Sequence, residues 1–454
     1  MINELDIVGY LSSPPPSTEE VGRILTKSMQ LERLTIGEVA SLLLVDDEVL
    51  LSDIFNTARR VKELIYGRRV VIFAPLYISN LCANECLYCA FRASNRSAVR
   101  RALTQDEIAS ETTALLKTGQ KRILLVAGES YPKEGLDYVF NAIDTVYGVR
   151  DGKNNIRRLN VNLAPLEVDQ FKRLKDKQIG TYQLFQETYH LPTYKKMHVG
   201  GPKANYEYRL TAIGRAFMAG IEDVGIGVLF GLYDYKYEVL ALMSHIDSLE
   251  NEFGMGPHTI SIPRMEPASG SDVSTHPPYP VNDMDFKKII AILRLAVPYT
   301  GIILSTRENA AMRLEALELG VSQISAGSRT SPGGYSNDKS EAQFSLGDHR
   351  PLDEVIVDVC KSGHIPSFCT GCYRTGRTGL DFMEQAKPGA IKMKCAPNAV
   401  YTFQEYLDDF GTTATLGVGQ KIISDEVASM PEKLRNKVES TLQRVKQGER
   451  DIYV

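Results

Sequence analysis

The sequence lacks the features that would place the chain in a membrane or on a nucleic acid. No apolar run among its 454 residues approaches the ~18 residues of a membrane-spanning helix. The segment 1–17 does not have the charged-then-apolar layout of a signal peptide. The net charge is −4, and no basic stripe is interleaved with aromatic residues, as nucleic-acid surfaces require. We therefore expect a cytoplasmic protein that binds neither membrane nor nucleic acid.

Cysteine is also scarce, but its distribution carries most of the functional information. Six of the seven cysteines form two groups of three, and the remaining one, Cys360, has no assigned role. A disulfide framework would suit a short secreted chain, whereas this chain is long and shows no secretion signal. In such a protein, cysteines at short spacing usually bind metal.

Short β-rich runs alternate with amphipathic helical patterns from about residue 70 onward. The predicted strands are Val70–Ile78, Ile123–Ala127, Leu159–Leu163, Thr181–Gln186, Asp223–Leu229, His258–Ile262, Gly301–Ser305 and Ser322–Ala326. They are apolar along most of their length, as expected when both faces of a sheet are covered. Eight β/α repeats favour a closed α/β barrel of the (β/α)8 TIM type over an open sheet.

The barrel is expected to lie between two mostly helical segments. Residues 1–66 show helical periodicity, residues 67–340 carry the strands, and residues 341–454 lose the strand rhythm. The helical patterns of the last segment cover 352–364, 398–409 and 423–448. The sequence thus predicts N-terminal helices, a barrel domain and a C-terminal, mostly helical extension around a cysteine loop.

Cys82, Cys86 and Cys89 lie on one loop after the first predicted strand, with the spacing C-x3-C-x2-C. In a barrel this loop lies at the C-terminal mouth, where barrel enzymes keep their chemistry. Three thiolates can hold three irons of a cubane cluster and leave the fourth iron open. The alternative is a structural zinc loop, which needs a fourth protein ligand. Spacing and position favour the cluster.

Cys369, Cys372 and Cys395 form the second group, with the spacing C-x2-C-x22-C. Three thiolates again lack an obvious fourth partner. Zinc is a serious competitor here, because Cys360 or His364 could complete a tetrahedron. The spacing alone leaves a cluster and a zinc site both open.

The first cysteine motif resembles that of the radical S-adenosylmethionine (SAM) superfamily. The segment after the second strand, Val126–Glu129, is similar to the Gly-Gly-Glu motif of that superfamily, with alanine in place of the first glycine. The resemblance implies a SAM-binding 4Fe–4S cluster and contacts from Gly128 and Glu129 to the amino end of SAM. It also implies that Glu187 and Arg209 hold the polar ends of SAM. Without it, a surface salt bridge would be the simpler interpretation of those two residues.

With the second cysteine group near its end, nearly the whole chain resembles the tyrosine lyases that mature the active site of iron-only hydrogenases. Matching text includes Asp223–Leu232, Pro257–Arg264 and Gly327–Thr330. The resemblance implies an auxiliary 4Fe–4S cluster on the second cysteine group, with an additional labile iron bound by His258. An isolated histidine at the start of a strand is otherwise more often a structural residue.

The resemblance also implies a reaction and its partners. A 5′-deoxyadenosyl radical from SAM takes a hydrogen atom from the amino group of L-tyrosine. Cleavage of the Cα–Cβ bond then gives p-cresol and dehydroglycine, which yields carbon monoxide and cyanide on the labile iron. The implied partners are SAM, L-tyrosine, a reductant such as ferredoxin or flavodoxin, and hydrogenase maturation scaffold proteins. The alternatives are a tyrosine lyase of thiazole biosynthesis and an iron–sulfur cluster carrier.

Ser328, Arg329 and Thr330 follow the eighth predicted strand, at the mouth of the barrel. A guanidinium with neighbouring hydroxyls suits bidentate capture of the tyrosine carboxylate. A helix-capping loop would use the same residue types. We take these three residues as candidates for binding tyrosine.

Overall fold

Eight parallel strands close into a barrel in the computed structural model, which describes residues 2–336 and 342–454. The strands pair in sequence order, and the eighth pairs with the first. They are β1 Arg69–Ser79, β2 Arg122–Ala127, β3 Arg158–Asn162, β4 Tyr182–Glu187, β5 Val224–Val228, β6 Thr259–Ser261, β7 Gly301–Leu304 and β8 Gln323–Ser325. The predicted barrel is confirmed. Its strands are apolar along most of their length because both faces of the sheet are buried.

Helices precede the barrel and cover its outer face. The N-terminal helices are α1 Glu4–Leu11, α2 Thr18–Met29, α3 Ile36–Leu43 and α4 Glu48–Tyr66. The helices between strands are α5 Gln105–Lys117, α6 Leu136–Gly148, α7 Val168–Asp176, α8 Leu191–Met197, α9 Tyr206–Leu210, α10 Ala212–Met218, α11 Tyr235–Phe253, α12 Asp272–Thr275, α13 Asp283–Ala296 and α14 Ala310–Leu319, with a short 3-10 turn at Pro202–Ala204. The connections therefore alternate with the strands as expected.

The C-terminal extension begins near the mouth of the barrel, where Leu352 lies close to Gly327, and is mostly helical. Its elements are α15 Leu352–Lys361, β9 Ile365–Ser367, α16 Gly371–Arg374, α17 Gly379–Ala386, α18 Lys392–Phe410, α19 Thr413–Ala428 and α20 Glu432–Lys446. The expected boundary between residues 340 and 341 lies outside the described residues. Within the described ranges, none of these or the preceding helices is long and apolar enough to cross a membrane.

A ninth strand, which the sequence analysis missed, joins the extension to the barrel. β9 pairs in parallel with the start of β1, with Arg69 opposite Ile365 and Val71 opposite Ser367. Val71 also pairs with Gln323 of β8, so β9 occupies the opposite edge of β1. β9 is three residues long and contains a proline, so it gives no strand pattern in the sequence. The pairing places the second cysteine group at the N-terminal end of the barrel.

Three expected helices of the extension have different bounds. The first ends at Lys361 rather than at 364, because the chain turns at Gly363, which has a positive φ of 80°. The second begins at Lys392 rather than at 398 and runs through Pro397. The single helix expected over 423–448 is wrong: two helices, α19 and α20, meet there. Pro431 separates them, because proline cannot continue the backbone hydrogen bonding of a preceding helix.

Candidate active site

The three cysteines after β1 face one cavity at the mouth of the barrel. Cys82, Cys86 and Cys89 line it together with the end of β2. Two backbone hydrogen bonds fix the loop that carries them. The amide of Ala93 donates to the carbonyl of Asn84 at 2.9 Å, and Leu87 donates to Met197 at the end of α8 at 3.0 Å. The three thiols are thus held on a short, well-bonded loop.

The electrostatics of this loop suit an anionic metal cluster. Burial raises the pKa of the Cys86 thiol, and the nearby ammonium of Lys203 opposes the shift. Burial also raises the pKa of Cys89, while the amide of Phe91, which donates to its sulfur at 3.4 Å, lowers it. A cluster that takes three thiolates releases three protons on binding, and a buried cation stabilises the resulting negative charge. The residues present therefore fit a cluster with three cysteine ligands.

A mononuclear zinc site does not fit the same residues. Across the part of the chain that the structure describes, no three histidine, cysteine or acidic side chains converge as the ligands of one ion do. Thiols around a cubane are spaced more widely, because each binds a different iron.

Gly128 brings the end of β2 against the cysteine loop. Its amide donates to the carbonyl of Ser79 at 2.9 Å. A Cβ at this position would lie 2.2 Å from the carbonyl oxygen of Leu81, directly before Cys82. Any side chain would push the two segments apart, because that contact is backbone and cannot rotate away. The glycine is therefore required for the approach, and it leaves backbone groups open to the cavity.

Glu129, Glu187 and Arg209 meet inside this cavity. Arg209 Nη1 donates to Glu129 Oε1 at 2.9 Å, and its Nη2 lies 3.8 Å from Glu187 Oε1. Lys203 Nζ donates to Glu187 Oε1 at 2.7 Å. Burial opposes ionisation of Glu129, but the charges of Arg209 and Lys203 outweigh it and hold the pKa of Glu129 below its usual range. All four groups are buried, so a surface salt bridge does not describe them.

The backbone at Glu187 is in the left-handed region, with φ of 71°. Such a conformation in a residue other than glycine costs about 1 kcal/mol or more and is kept where surrounding contacts impose it. Glu238 on α11 supplies those contacts. Its carboxylate accepts hydrogen bonds from the hydroxyl of Thr188 and, at 2.8 Å, from the amide of Tyr189. The turn that aims Glu187 into the cavity is therefore held from outside the barrel.

Several residues of this site were not predicted. Lys203 lies in the short turn after α8 and has no motif around it. Tyr88, between the second and third cysteines, donates its hydroxyl to His198 Nε2 at 2.8 Å, and His198 Nδ1 donates to the carbonyl of Tyr194. Burial lowers the pKa of His198 to about 2, so its ring is neutral. The position of Tyr88 inside the cysteine motif was the only available signal.

A second cavity continues from the mouth into the barrel and encloses about 1090 Å³, including its part open to solvent. Cys89 and Glu187 line both cavities, so the two are continuous. The hydroxyl of Ser328 has no hydrogen-bond partner among the described residues, and it faces this space, as does Thr330. Buried polar groups need partners, so the unpaired hydroxyl indicates a ligand.

Arg329 does not line this cavity, in contrast to its two neighbours. Its Nη1 donates to the carbonyl of Ser328 at 3.1 Å. The guanidinium that does face the cavity belongs to Arg307, after β7, and it lies over the ring of Phe344. The sequence places both arginines after strands at the mouth, but it does not indicate which one turns inward.

The second cysteine group lies at the opposite end of the barrel. Cys369 and Cys372 follow β9, and Cys395 lies in the first turn of α18. Arg122, the first residue of β2, donates to the carbonyl of Cys369 at 2.7 Å. The amide of Gly371 donates to Cys369 Sγ at 3.2 Å. Strand ends and a helix start thus hold the three thiols under the barrel.

Arg69 is the cation that acts on all three thiols of this second site. Burial raises the pKa of each of the three thiols, and the charge of Arg69 opposes the shift at all three. Burial disfavours the charge on Arg69 itself, but the nearby sulfurs raise its pKa overall. Its Nε is buried and has no hydrogen-bond partner among the described residues. The site therefore repeats the pattern of the first, and an anionic cluster fits it.

The two residues considered as a fourth zinc ligand are occupied elsewhere or distant. His364 Nε2 accepts a hydrogen bond from Lys62 at 2.8 Å, and its Nδ1 pairs with Ser362. Cys360 is buried on α15, and burial alone raises its pKa to about 12. Both ring nitrogens of His364 are thus engaged, which disfavours His364 as a fourth zinc ligand.

His258 directly precedes β6, at the same end of the barrel as the second cysteine group. Its Nδ1 lies 3.6 Å from the carboxylate of Asp223. Both oxygens of that buried carboxylate lack a hydrogen-bond partner among the described residues, as does the hydroxyl of Thr259. The imidazole packs against Phe382, whose ring centre is 4.1 Å away, and Tyr373 lies nearby. The structure thus gathers unsatisfied polar groups around His258, as expected at a ligand site.

Comparisons with known proteins agree with this arrangement. The family model of the radical SAM superfamily matches residues 76–245, and that of the biotin and thiamin synthesis associated domain matches 261–365. The chain is 30% identical over 342 residues to 2-iminoacetate synthase of Escherichia coli (strain K12), covering 75% of this chain and 88% of that protein.

Two solved structures cover nearly all of the chain. A crystal structure of HydG, a maturase of the FeFe-hydrogenase, is 47% identical with a TM-score of 0.97 and covers 100% of this chain and 99% of that one. The HydG structure from Carboxydothermus hydrogenoformans is 42% identical with a TM-score of 0.82, covering 93% and 94%. With two cysteine sites at opposite ends of one barrel, the chain belongs to the HydG family of radical SAM enzymes.

Proposed function

We propose that this protein cleaves L-tyrosine to p-cresol and dehydroglycine, and then supplies iron carrying carbon monoxide and cyanide for the active site of FeFe-hydrogenase. One observation carries the proposal. A single barrel has a cysteine trio with a nearby cation at each end, and a cavity that begins at the first trio and extends into the barrel. The first end suits radical generation, and the second suits collection of the product.

At the first site, the residues of this chain bind and orient SAM. A 4Fe–4S cluster on Cys82, Cys86 and Cys89 supplies, together with SAM, the 5′-deoxyadenosyl radical. The backbone at Gly128 and the carboxylate of Glu129 suit the amino group of SAM, because a buried carboxylate held ionised accepts strong hydrogen bonds. Arg209 and Lys203 suit the carboxylate of SAM, and Glu187 the sugar hydroxyls.

Tyrosine is placed in the barrel cavity, next to Cys89. The unpaired hydroxyl of Ser328 donates to its carboxylate, and the inward-facing Arg307 provides the positive charge. The hydroxyl of Thr330 donates to the carbonyl of Phe344 at 3.3 Å, so at this cavity its oxygen serves as an acceptor. Arg329 supports this loop through its hydrogen bond to the carbonyl of Ser328. The apolar walls of the cavity, which include Phe185, exclude water from the radical.

At the second site, Cys369, Cys372 and Cys395 suit an auxiliary 4Fe–4S cluster, and His258 binds an additional labile iron. That cluster supplies the iron on which carbon monoxide and cyanide are collected. Dehydroglycine reaches it through the barrel, which keeps the reactive imine away from solvent. In this scheme the protein's partners are a low-potential reductant and the scaffold proteins of hydrogenase maturation. The protein acts in the reducing cytoplasm.

Asp223 is expected to orient His258 for the labile iron. Metal-binding histidines usually present one nitrogen to a carboxylate, which fixes the ring and leaves the other nitrogen for the metal. With Nδ1 facing Asp223, Nε2 is the free nitrogen. We expect Asp223→Asn to lower labile-iron occupancy about tenfold or more, while p-cresol formation stays unchanged. Iron analysis and electron paramagnetic resonance of the reconstituted protein measure the occupancy.

Two comparisons make this outcome specific. His258→Asn should lose the labile iron completely and also retain p-cresol formation. Thr300→Val, which removes a hydroxyl that donates to the carbonyl of Pro257, directly before His258, should retain the iron. An Asp223→Asn protein with full labile-iron occupancy would show that the carboxylate does not position His258.

Anaerobic reconstitution with SAM, L-tyrosine and a strong reductant tests the proposed function as a whole. We expect 5′-deoxyadenosine, p-cresol, carbon monoxide and cyanide. Formation of p-cresol without carbon monoxide or cyanide would instead support a lyase that releases dehydroglycine to another pathway. Absence of 5′-deoxyadenosine with all irons present would support a cluster carrier.

A further inference from the structure

The surface outside the first cysteine loop is built from three segments, 83–87, 92–97 and 195–201, which we call the cluster-loop surface. The amide of Ala93 donates to the carbonyl of Asn84 at 2.9 Å, joining the first two segments. Val199 donates to Glu85 at 3.0 Å, and Glu85 donates to Gly200 at 2.9 Å, joining the first and third. These bonds make one continuous layer between the cysteines and solvent.

This layer is basic, although the whole chain has a net charge of −4. It carries four basic residues, Arg92, Arg96, Lys195 and Lys196, and one acidic residue, Glu85. The carboxylate of Glu85 is engaged by Ser94, whose hydroxyl donates to it at 2.7 Å.

Three of the basic side chains are free to meet a partner. Arg96, Lys195 and Lys196 are exposed and make no ion pair or hydrogen bond with any described residue. By contrast, Arg173 and Lys177 elsewhere on the barrel are each paired with a carboxylate. The positive charge on the cluster-loop surface is therefore not compensated within these segments.

An exposed apolar residue lies among these charges. Val199 is 58% exposed, and its amide donates a hydrogen bond to the carbonyl of Glu85, the residue before Cys86. On the other side of the loop, the hydroxyl of Ser271 donates to the carbonyl of Leu87 at 2.7 Å. The next residue, Asp272, is exposed and places one negative charge at the edge of the surface. A small apolar centre within a mainly basic rim is typical of surfaces that bind acidic partners briefly, with fast association.

We propose that the cluster-loop surface docks a small acidic electron-transfer protein. This inference rests on the proposed function, which needs one electron for each SAM that is cleaved. The reduced carrier loses one electron and is oxidised. The electron enters at the site held by Cys82, Cys86 and Cys89, and the C5′–S bond of SAM takes it up and breaks, giving methionine and the 5′-deoxyadenosyl radical. Docking here brings the carrier against the loop that holds those cysteines.

The test uses the triple variant Arg96→Glu, Lys195→Glu and Lys196→Glu in the full, cluster-loaded protein. The probes are reduced flavodoxin and, separately, dithionite, a small reductant that needs no docking surface. At low ionic strength we expect flavodoxin to reduce the variant's SAM-binding cluster about tenfold or more slowly, because charge reversal removes electrostatic steering. The dithionite rate should be unchanged. Electron paramagnetic resonance after rapid freezing follows cluster reduction directly.

A matched control reverses two exposed lysines far from the loop, Lys433→Glu and Lys437→Glu on α20, and should keep the wild-type flavodoxin rate. An unchanged flavodoxin rate in the triple variant would overturn the proposal. An equal loss with dithionite, or in the α20 control, would overturn it as well. The reduction assay needs neither SAM nor tyrosine. Failure of the proposed function would therefore appear separately, as missing 5′-deoxyadenosine with a normal rate of cluster reduction.

Discussion

Replacing Cys372 and Cys395 with serine is expected to separate the two halves of the reaction. Delivery of carbon monoxide and cyanide to iron should be lost, because the proposed auxiliary cluster would lose two of its three cysteine ligands. Formation of p-cresol should stay within about threefold of wild type, since sites that share no contacts act nearly independently. Chromatography measures p-cresol, and infrared spectroscopy detects iron-bound carbon monoxide and cyanide.

The matched control is Cys89→Ser, in the first trio. Cys89 lines both the mouth cavity and the barrel cavity. In the proposed scheme this change removes a ligand of the SAM-binding cluster. It should abolish 5′-deoxyadenosine, p-cresol and all later products together. If the double serine variant lost p-cresol as completely as Cys89→Ser does, the assignment of two separate sites would be wrong.

Arg209→Met is expected to weaken SAM binding by about two orders of magnitude, which corresponds to about 3 kcal/mol. Arg209 is buried and faces two carboxylates, Glu129 and Glu187. Its Nε also donates to the carbonyl of Phe185 at 2.7 Å. Methionine keeps much of the side-chain volume but leaves both carboxylates less compensated, and an unpaired buried charge is strongly destabilising. Equilibrium binding of SAM to the cluster-loaded variant measures the loss.

Two further variants separate charge from packing. Arg215→Met removes a guanidinium that donates to the carbonyls of Leu166 and Tyr208, outside the charged group, and should bind SAM normally. The double variant Arg209→Met, Glu129→Gln should have a higher free energy of unfolding than Arg209→Met alone, because it removes one of the uncompensated carboxylates. SAM affinity of Arg209→Met equal to that of the wild type would contradict the role given to this cation.

The sequence was sufficient for the barrel because its strands are long apolar runs separated by amphipathic helices. All eight predicted strands end within one residue of those in the structure. The sequence did not predict β9. Its three residues pair with the first residues of β1, which precede the part of β1 that pairs with β2. The division of the last helical region at Pro431 was missed because the charged pattern continues on both sides of it.

The sequence likewise predicted some residues of the candidate site and not others. Cysteine spacing located both trios, whereas Glu129 and Glu187, at the ends of β2 and β4, were predicted from the resemblance to the radical SAM superfamily. The cations Lys203 and Arg69 carry no motif, since Lys203 lies in a short turn and Arg69 is the first residue of an apolar strand. The direction of a side chain in a loop depends on its neighbours, which is why Arg307 rather than Arg329 faces the cavity.

The pairing of β9 with β1 has a mechanical consequence. The same strand, Arg69–Ser79, leads into the first cysteine loop at one end and is hydrogen-bonded at the other to the segment that leads into Cys369. A single continuous backbone therefore fixes the separation between the place where the radical forms and the place where its product is used. Neither end of β1 can move toward the other, so the distance between the two cysteine groups stays constant during turnover.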